Sequence, residues 1–277
     1  MTAADARTHV HPDDEHSGDG DHRGRLGSSD AAGLLAALAA LVLWASLTDS
    51  IYRYVRPTMR PWLVLSGLAI ALLAIAVAVG AWWDARRSGD RAGHRHSLVG
   101  WALLVPALIA VSTDPGALGS FAVRQVGMSS FRADREFDLG AHLRAHTTGG
   151  QAPSLTIGEF LSAAADPDDR ELLASTTVRL TGFVVNDSGE LDGAPPDAFV
   201  LARLMVGCCA GDATPLPVEV RGLGEAPPPE DVWVEVTGRY APPPGAERDA
   251  DGGLGVAVIV AEDLRRVDEP RQPYEYP

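Results

Sequence analysis

The sequence predicts an α+β membrane protein: N-terminal transmembrane helices followed by a small C-terminal all-β, OB-like barrel with flanking helices. Three observations carry that expectation. The long apolar runs are confined to residues 31–112. From residue 176 the apolar period becomes two, in five short runs separated by turn residues. Charge divides the chain in the same way: residues 118–277 hold 13 Arg against 26 Asp plus Glu, a net of −13 out of the chain's −14. The expected domains are a His/Asp-rich disordered tail over 1–30, a transmembrane region over 31–118, a helical linker over 119–165 and the OB-like β domain over 166–277.

The first 30 residues are polar and almost free of apolar side chains, so no core can form there. His9, His11, His16 and His22 lie among Asp13, Asp14, Glu15, Asp19 and Asp21. Such a set reads either as a loose divalent-metal tail or as a solvated low-complexity segment. It lacks the basic start and cleavage site of a secretory signal.

Residues 31–47 are the first membrane candidate, uncharged until Asp49. Residues 62–83 are the strongest: 22 uncharged positions, enough to cross a ~30 Å hydrocarbon core at about 1.5 Å per residue. Trp62 at one end and Trp82-Trp83 at the other suit the two membrane interfaces. Residues 98–112 are a shorter third candidate interrupted by Pro106, with a buried hairpin or re-entrant segment as the alternative. Three spans are expected, hence a multi-pass protein of the cell membrane in contact with lipid. An inside N-terminus leaves Arg23, Arg25, Arg86, Arg87, Arg91 and Arg95 inside, against Arg53, Arg56, Arg60, Arg124 and Arg132 outside. That count leans toward an extracytoplasmic C-terminal domain.

An amphipathic helix is expected over 130–145, with His142 and His146 on one face at i, i+4 spacing. Such a pair can bind zinc, but no third ligand is nearby in sequence, and a solvated helix face is the simpler reading. A short helix is expected over 156–165, with Thr156 and Glu159 in capping-box spacing and Asp166-Pro167 at its end. Strands are expected over 177–186, 198–206, 216–220, 232–240 and 256–264, with a turn at Asp187-Ser188-Gly189. Gly182 and Gly238, where strands can bend, favour a closed OB-type barrel over a β-sandwich. Strict alternation puts Val232, Val234 and Val236 in its core and Trp233 over a second face, against the helices of 130–165.

The acidic C-terminal half, with no aromatic stacking platform, argues against nucleic acid as a partner. All 23 basic residues are Arg. The two cysteines are adjacent, Cys208 and Cys209, after Gly207 and before Ala210, Gly211 and Asp212. On a flat strand they would point to opposite faces; at a strand end a turn can bring them together, and the flanking glycines allow one. Three readings stay open. The pair, with Asp212 or a histidine added, can hold a soft or borderline divalent metal such as zinc. It can form a strained vicinal disulfide. Or it can be two small buried hydrophobes. No nucleophile–base arrangement accompanies it, so no enzyme is expected.

With Tyr54-Val55-Arg56-Pro57, Cys208-Cys209-Ala210 and Pro273-Tyr274-Glu275-Tyr276-Pro277, the chain resembles the YcgQ-like family of bacterial membrane proteins. The resemblance is carried by Tyr54-Val55-Arg56-Pro57 and Met59, by Pro106, Pro115 and Leu118, and by Gly182-Phe183-Val184 and Leu201-Ala202-Arg203. Further on come Cys208-Cys209-Ala210 with Asp212-Ala213 and Pro215, then Trp233-Val234, Gly238 and Pro273-Tyr274-Glu275-Tyr276-Pro277. The family motif reads CCAAD; here Gly211 replaces its second alanine. The resemblance implies a non-enzymatic accessory subunit paired with a multi-span permease, and no established catalytic activity.

Overall fold

Apolar runs free of charge and of interior proline propagate as long helices, and two of them open the chain. The computed structural model describes residues 28–88, 101–102, 104–113, 116–127, 137–146, 151–186, 195–242 and 256–277. Residues 1–27 of the tail expected over 1–30, Arg91, Arg95, Pro115, Arg132, the first part of the 130–145 helix and the turn at 187–189 lie outside them, while residues 28–30 are the first residues of a helix and not tail. Helix α1 (Ser28–Leu47) and helix α2 (Arg60–Ser88) form an antiparallel hairpin, and both are long and apolar enough to cross a membrane. Only 17% and 11% of their most apolar windows are buried, unlike the core helix of a soluble protein. Leu65, Leu68, Leu72, Leu73 and Ile75 are exposed, with Trp62 at one end of α2 and Trp82 and Trp83 at the other. Arg86 stacks on Trp82 at 3.6 Å, a pairing suited to a membrane interface.

The hairpin is tight because small residues meet across it: Ala39 and Ala74 are buried, and a Cβ on Gly67 would stand 2.8 Å from Leu43. The connection makes two 3-10 turns, Asp49–Arg53 and Pro57–Met59. Arg60 donates to the carbonyls of Ser46 (2.8 Å) and Leu47 (3.2 Å), satisfying α1's open C-terminal end.

The expected third span contains helix α3 (Leu104–Thr113), ten residues with Pro106 in its first turn, where no intrahelical partner is lost. Residues 98–100 and 103 lie outside the described residues. Trp101 packs on Gly33, its Cζ2 3.3 Å from where a Cβ would be. Downstream, the Leu118 N–H donates to Tyr274 Oη (3.0 Å), and that hydroxyl donates to the Arg53 carbonyl (2.9 Å). The segment therefore starts beside the first turns of α1 and ends beside the turn that follows α1.

Helices α4 (Ser120–Val126), α5 (Leu139–His146), α6 (Ile157–Ala165) and α7 (Pro167–Ser175) come next. The capping box at the start of α6 is formed, Thr156 Oγ1 accepting from Glu159 N (3.1 Å) and Glu159 Oε2 accepting from Thr156 N (2.8 Å). Asp166-Pro167 ends α6 and also begins α7, Asp166 capping Asp168 N at 2.8 Å.

The strands β1 (Val178–Val185), β2 (Phe199–Met205), β3 (Thr214–Arg221), β4 (Trp233–Ala241) and β5 (Ala257–Arg266) close a barrel in the order β1-β2-β3-β5-β4. The β3–β5 pair is parallel and the rest are antiparallel. That closure is consistent with the expected OB-like arrangement. A Cβ on Gly182 would stand 2.6 Å from the Ala202 carbonyl, and one on Gly238 would collide with the Val260 carbonyl beside a register shift. Leu180, Val184, Leu201, Val218, Val234 and Val236 fill the interior, which Phe160 of α6 plugs. A second cluster lies outside it, where Phe183, Val200 and Leu204 are covered by Val123 of α4 and by Tyr274.

Trp233 belongs to this outer cluster, half-buried against Phe183. The cover expected from the helices of 130–165 comes instead from α4 and the C-terminal segment. The α6 helix instead packs into the barrel interior through Ile157 and Phe160.

Candidate functional site

Strand β2 runs out into Gly207–Asp212, and this loop meets two distant segments. Asp212 turns back on the loop, accepting Gly207 N–H at Oδ1 (2.9 Å) and Cys208 N–H at Oδ2 (2.7 Å). A single 3-10 turn, Ala210–Asp212, completes the reversal. Cys208, Cys209 and Asp212 thereby bring their donor atoms within 4.8 Å of one another. The flat-strand objection to a shared site is removed by the turn. Both thiols are free, Cys208 exposed and Cys209 partly exposed, which corrects the reading of two small buried hydrophobes. A Cβ on Gly211 would meet only Cys209 Sγ at 3.6 Å, ordinary contact, so alanine at this position suits the same loop. Gly207 is more constrained, since a Cβ there would press on Asp212 Oδ2 at 3.1 Å.

Electrostatics separates the two acids. The Asp212 carboxylate is held below its usual range by hydrogen bonds, first from the Cys208 thiol and then from the Cys208 amide. The same contact, helped by Cys209, pushes the Cys208 thiol up to about 11. Cys208 is thus a protonated thiol near neutral pH, the opposite of an activated nucleophile.

The α1–α2 turn pairs with this loop. Val55 bridges to Cys209 in antiparallel fashion, the Arg56 N–H donates to the Cys208 carbonyl (3.1 Å), and the Ala210 N–H donates to the Tyr54 carbonyl (2.7 Å). The apolar hairpin and the barrel are joined at the cysteine pair itself.

The C-terminal segment is the third partner. Met205 bridges to Glu275, Val206 N–H donates to the Glu275 carbonyl (2.9 Å) and Glu275 N–H to the Leu204 carbonyl (2.9 Å). The buried Glu275 carboxylate caps α6, accepting from Ile157 N (2.7 Å) and Gly158 N (2.8 Å). Burial pushes that carboxyl above its usual range, against the opposing pull of Arg203 and the two amides. Arg203 donates to the carbonyls of Gln272 (2.7 Å) and Pro273 (3.2 Å) and lies over the Trp233 ring at 5.5 Å. Arg56 donates to the Pro277 carbonyl (2.8 Å), and Arg53 pairs with Glu269 at 3.3 Å.

Of the residues singled out from sequence, Cys208, Cys209 and Asp212 come together. His142 does not join them: its ring faces the Ser154 carbonyl (3.3 Å) and Glu159 (3.8 Å). Glu275 and Arg203 were not read as parts of one assembly. Their partners lie 118 and 70 positions away, beyond any local pattern. Tyr54-Val55-Arg56, Leu118, Arg203, Trp233 and the C-terminal segment thus meet around this loop.

Residues 169–277 match the family model described as the DUF1980 C-terminal domain. No curated protein matches the chain. Among solved structures, a protein described as an aspartyl-tRNA synthetase from Leishmania major Friedlin is similar at 11% identity over 48% of this chain and 26% of that one. Its TM-score of 0.24 carries no argument, and the chain spans about a quarter of that protein's length.

Proposed function

We propose that this protein is a non-enzymatic accessory subunit of a membrane permease, anchored by several spans with its barrel held rigidly at the membrane surface. The observation that carries this reading is the junction: the turn of an apolar hairpin hydrogen-bonds directly to the barrel through Tyr54, Val55 and Arg56. A barrel tethered only to reach a soluble partner would need a loose linker; a barrel docked on the hairpin turn sits at a fixed height against whatever the helices bind. The YcgQ-like resemblance supports the same reading and supplies the partner class, a multi-span permease subunit. The exposed leucines of α2 offer a face for lipid or for that partner's helices.

The reading includes three crossings. Residue 101 lies beside the start of α1 and residue 118 beside the turn after it, which supports a third crossing parallel to α1. An odd number of crossings puts the N-terminal tail and the barrel on opposite sides, with the Arg count favouring the barrel outside. We read the barrel as OB-like, from its strand order.

Affinity purification of the full chain from native membranes in mild detergent tests the assignment. The expected result is recovery of a multi-span membrane protein in near-stoichiometric amount. Recovery of the chain alone, or with soluble proteins only, would contradict the subunit assignment.

A further inference from the structure

We propose that Cys208, Cys209 and Asp212 form a binding site for one zinc-class cation, on the barrel face that meets the α1–α2 turn. Two sulfurs and a carboxylate oxygen within 4.8 Å of one another suit a single ion bonded at about 2.3 Å to sulfur and about 2.0–2.2 Å to oxygen, after small side-chain rotations. The two thiols select a borderline or soft ion over magnesium or calcium, which take oxygen ligands. The loop is shaped before any ion arrives. Asp212 is fixed by the Gly207 and Cys208 amides, and the backbone on either side of Cys209 is fixed by Arg56 and Tyr54.

The donor count defines the kind of site. Structural zinc takes four protein ligands, whereas three protein ligands leave a position open for solvent or an incoming group. Among the described residues the cluster has three members, and Cys208 is exposed. Such a site keeps one coordination position open to solvent or an incoming group. It lies where the membrane hairpin meets the barrel, so an ion bound there sits directly beside the membrane segment. The inference does not depend on the permease assignment, since a site of this kind binds its ion whether or not a partner is present.

The test uses the full chain, purified in detergent, reduced and stripped of metal. Zinc is titrated against a competing chromogenic chelator, and cobalt serves as the spectroscopic probe. The expected results are one high-affinity equivalent lost in the Cys208→Ser/Cys209→Ser variant, and sulfur-to-cobalt charge-transfer absorption. Asp212→Asn should weaken binding by about tenfold or more, a loss that even outer-shell partners produce. Retained far-ultraviolet circular dichroism in the double variant separates loss of the site from loss of the fold. Zinc binding undiminished in the double variant, cobalt absorption without a sulfur band, or no binding by the native chain would each overturn the proposal. The first of these outcomes would move the metal to the histidine-rich N-terminal segment.

Discussion

Cys208 is the residue whose chemistry the fold changes most. Its thiol donates to an Asp212 carboxylate that the loop amides keep ionised, which places it at about 11. In metal-free protein, alkylation of Cys208 should therefore climb about tenfold per pH unit well past the range where an ordinary thiol levels off. A rate that plateaus below about pH 9, read in a Cys209→Ser background, would contradict the Asp212 contact. Glu275 gives a second prediction with a definite sign. Its folded-state value is raised by burial, so its stabilising contribution is full below the ordinary carboxylate range and is lost as pH rises through the raised value. Chemical denaturation of the detergent-solubilised chain should show that loss, and Glu275→Gln should flatten it. An unchanged pH slope in the variant would place the titration elsewhere. Glu275→Ala removes the acceptor for two helix-end amides and should cost roughly 1–3 kcal/mol at neutral pH. At this scale the sequence made the Cys208-Cys209-Asp212 group legible, because the three lie within five positions of chain. It hid Glu275, because a carboxylate three residues from the end reads as solvated until a helix start 118 positions away is folded onto it.

The strands were legible because each has its own period and its own punctuation. The expected run at 232–240 is β4 (Trp233–Ala241), and the run at 198–206 is β2 (Phe199–Met205). What alternation could not show is that β1 is buried on both faces in its second half, where Gly182-Phe183-Val184-Val185 touches the interior and the outer cluster in turn. Helix α7 was missed because Asp166-Pro167 reads equally as a stop and as an N-cap followed by Pro at the first helical position. Trp233 packs on Phe183 at 5.6 Å and under Arg203 but is only partly buried, so Trp233→Ala should cost about 1–3 kcal/mol, below the 3–5 typical of full burial. Gly238→Ala is the harsher change, since the added methyl meets the Val260 backbone at the bulge. A loss above about 2 kcal/mol is expected, and a neutral effect would mean that β4 and β5 are not in this register.

At the scale of the whole molecule, one connection dominates: an apolar hairpin whose turn is hydrogen-bonded to the barrel. The apolar runs made the helices legible, while the joining of turn, cysteine loop and C-terminal segment was not, because β-bridges of one or two residues leave no periodic trace. The proposed reading takes three crossings, which would put the N-terminal tail and the barrel on opposite sides. The direct measurement is two-sided accessibility in intact cells. One variant carries an N-terminal epitope tag. A second carries Glu225→Cys, at an exposed barrel position, in the Cys208→Ser/Cys209→Ser background. A membrane-impermeant thiol reagent should reach position 225 in intact cells, whereas an antibody should reach the N-terminal tag only after permeabilisation. If both probes report from the same side of the membrane, the chain crosses an even number of times and the account is wrong.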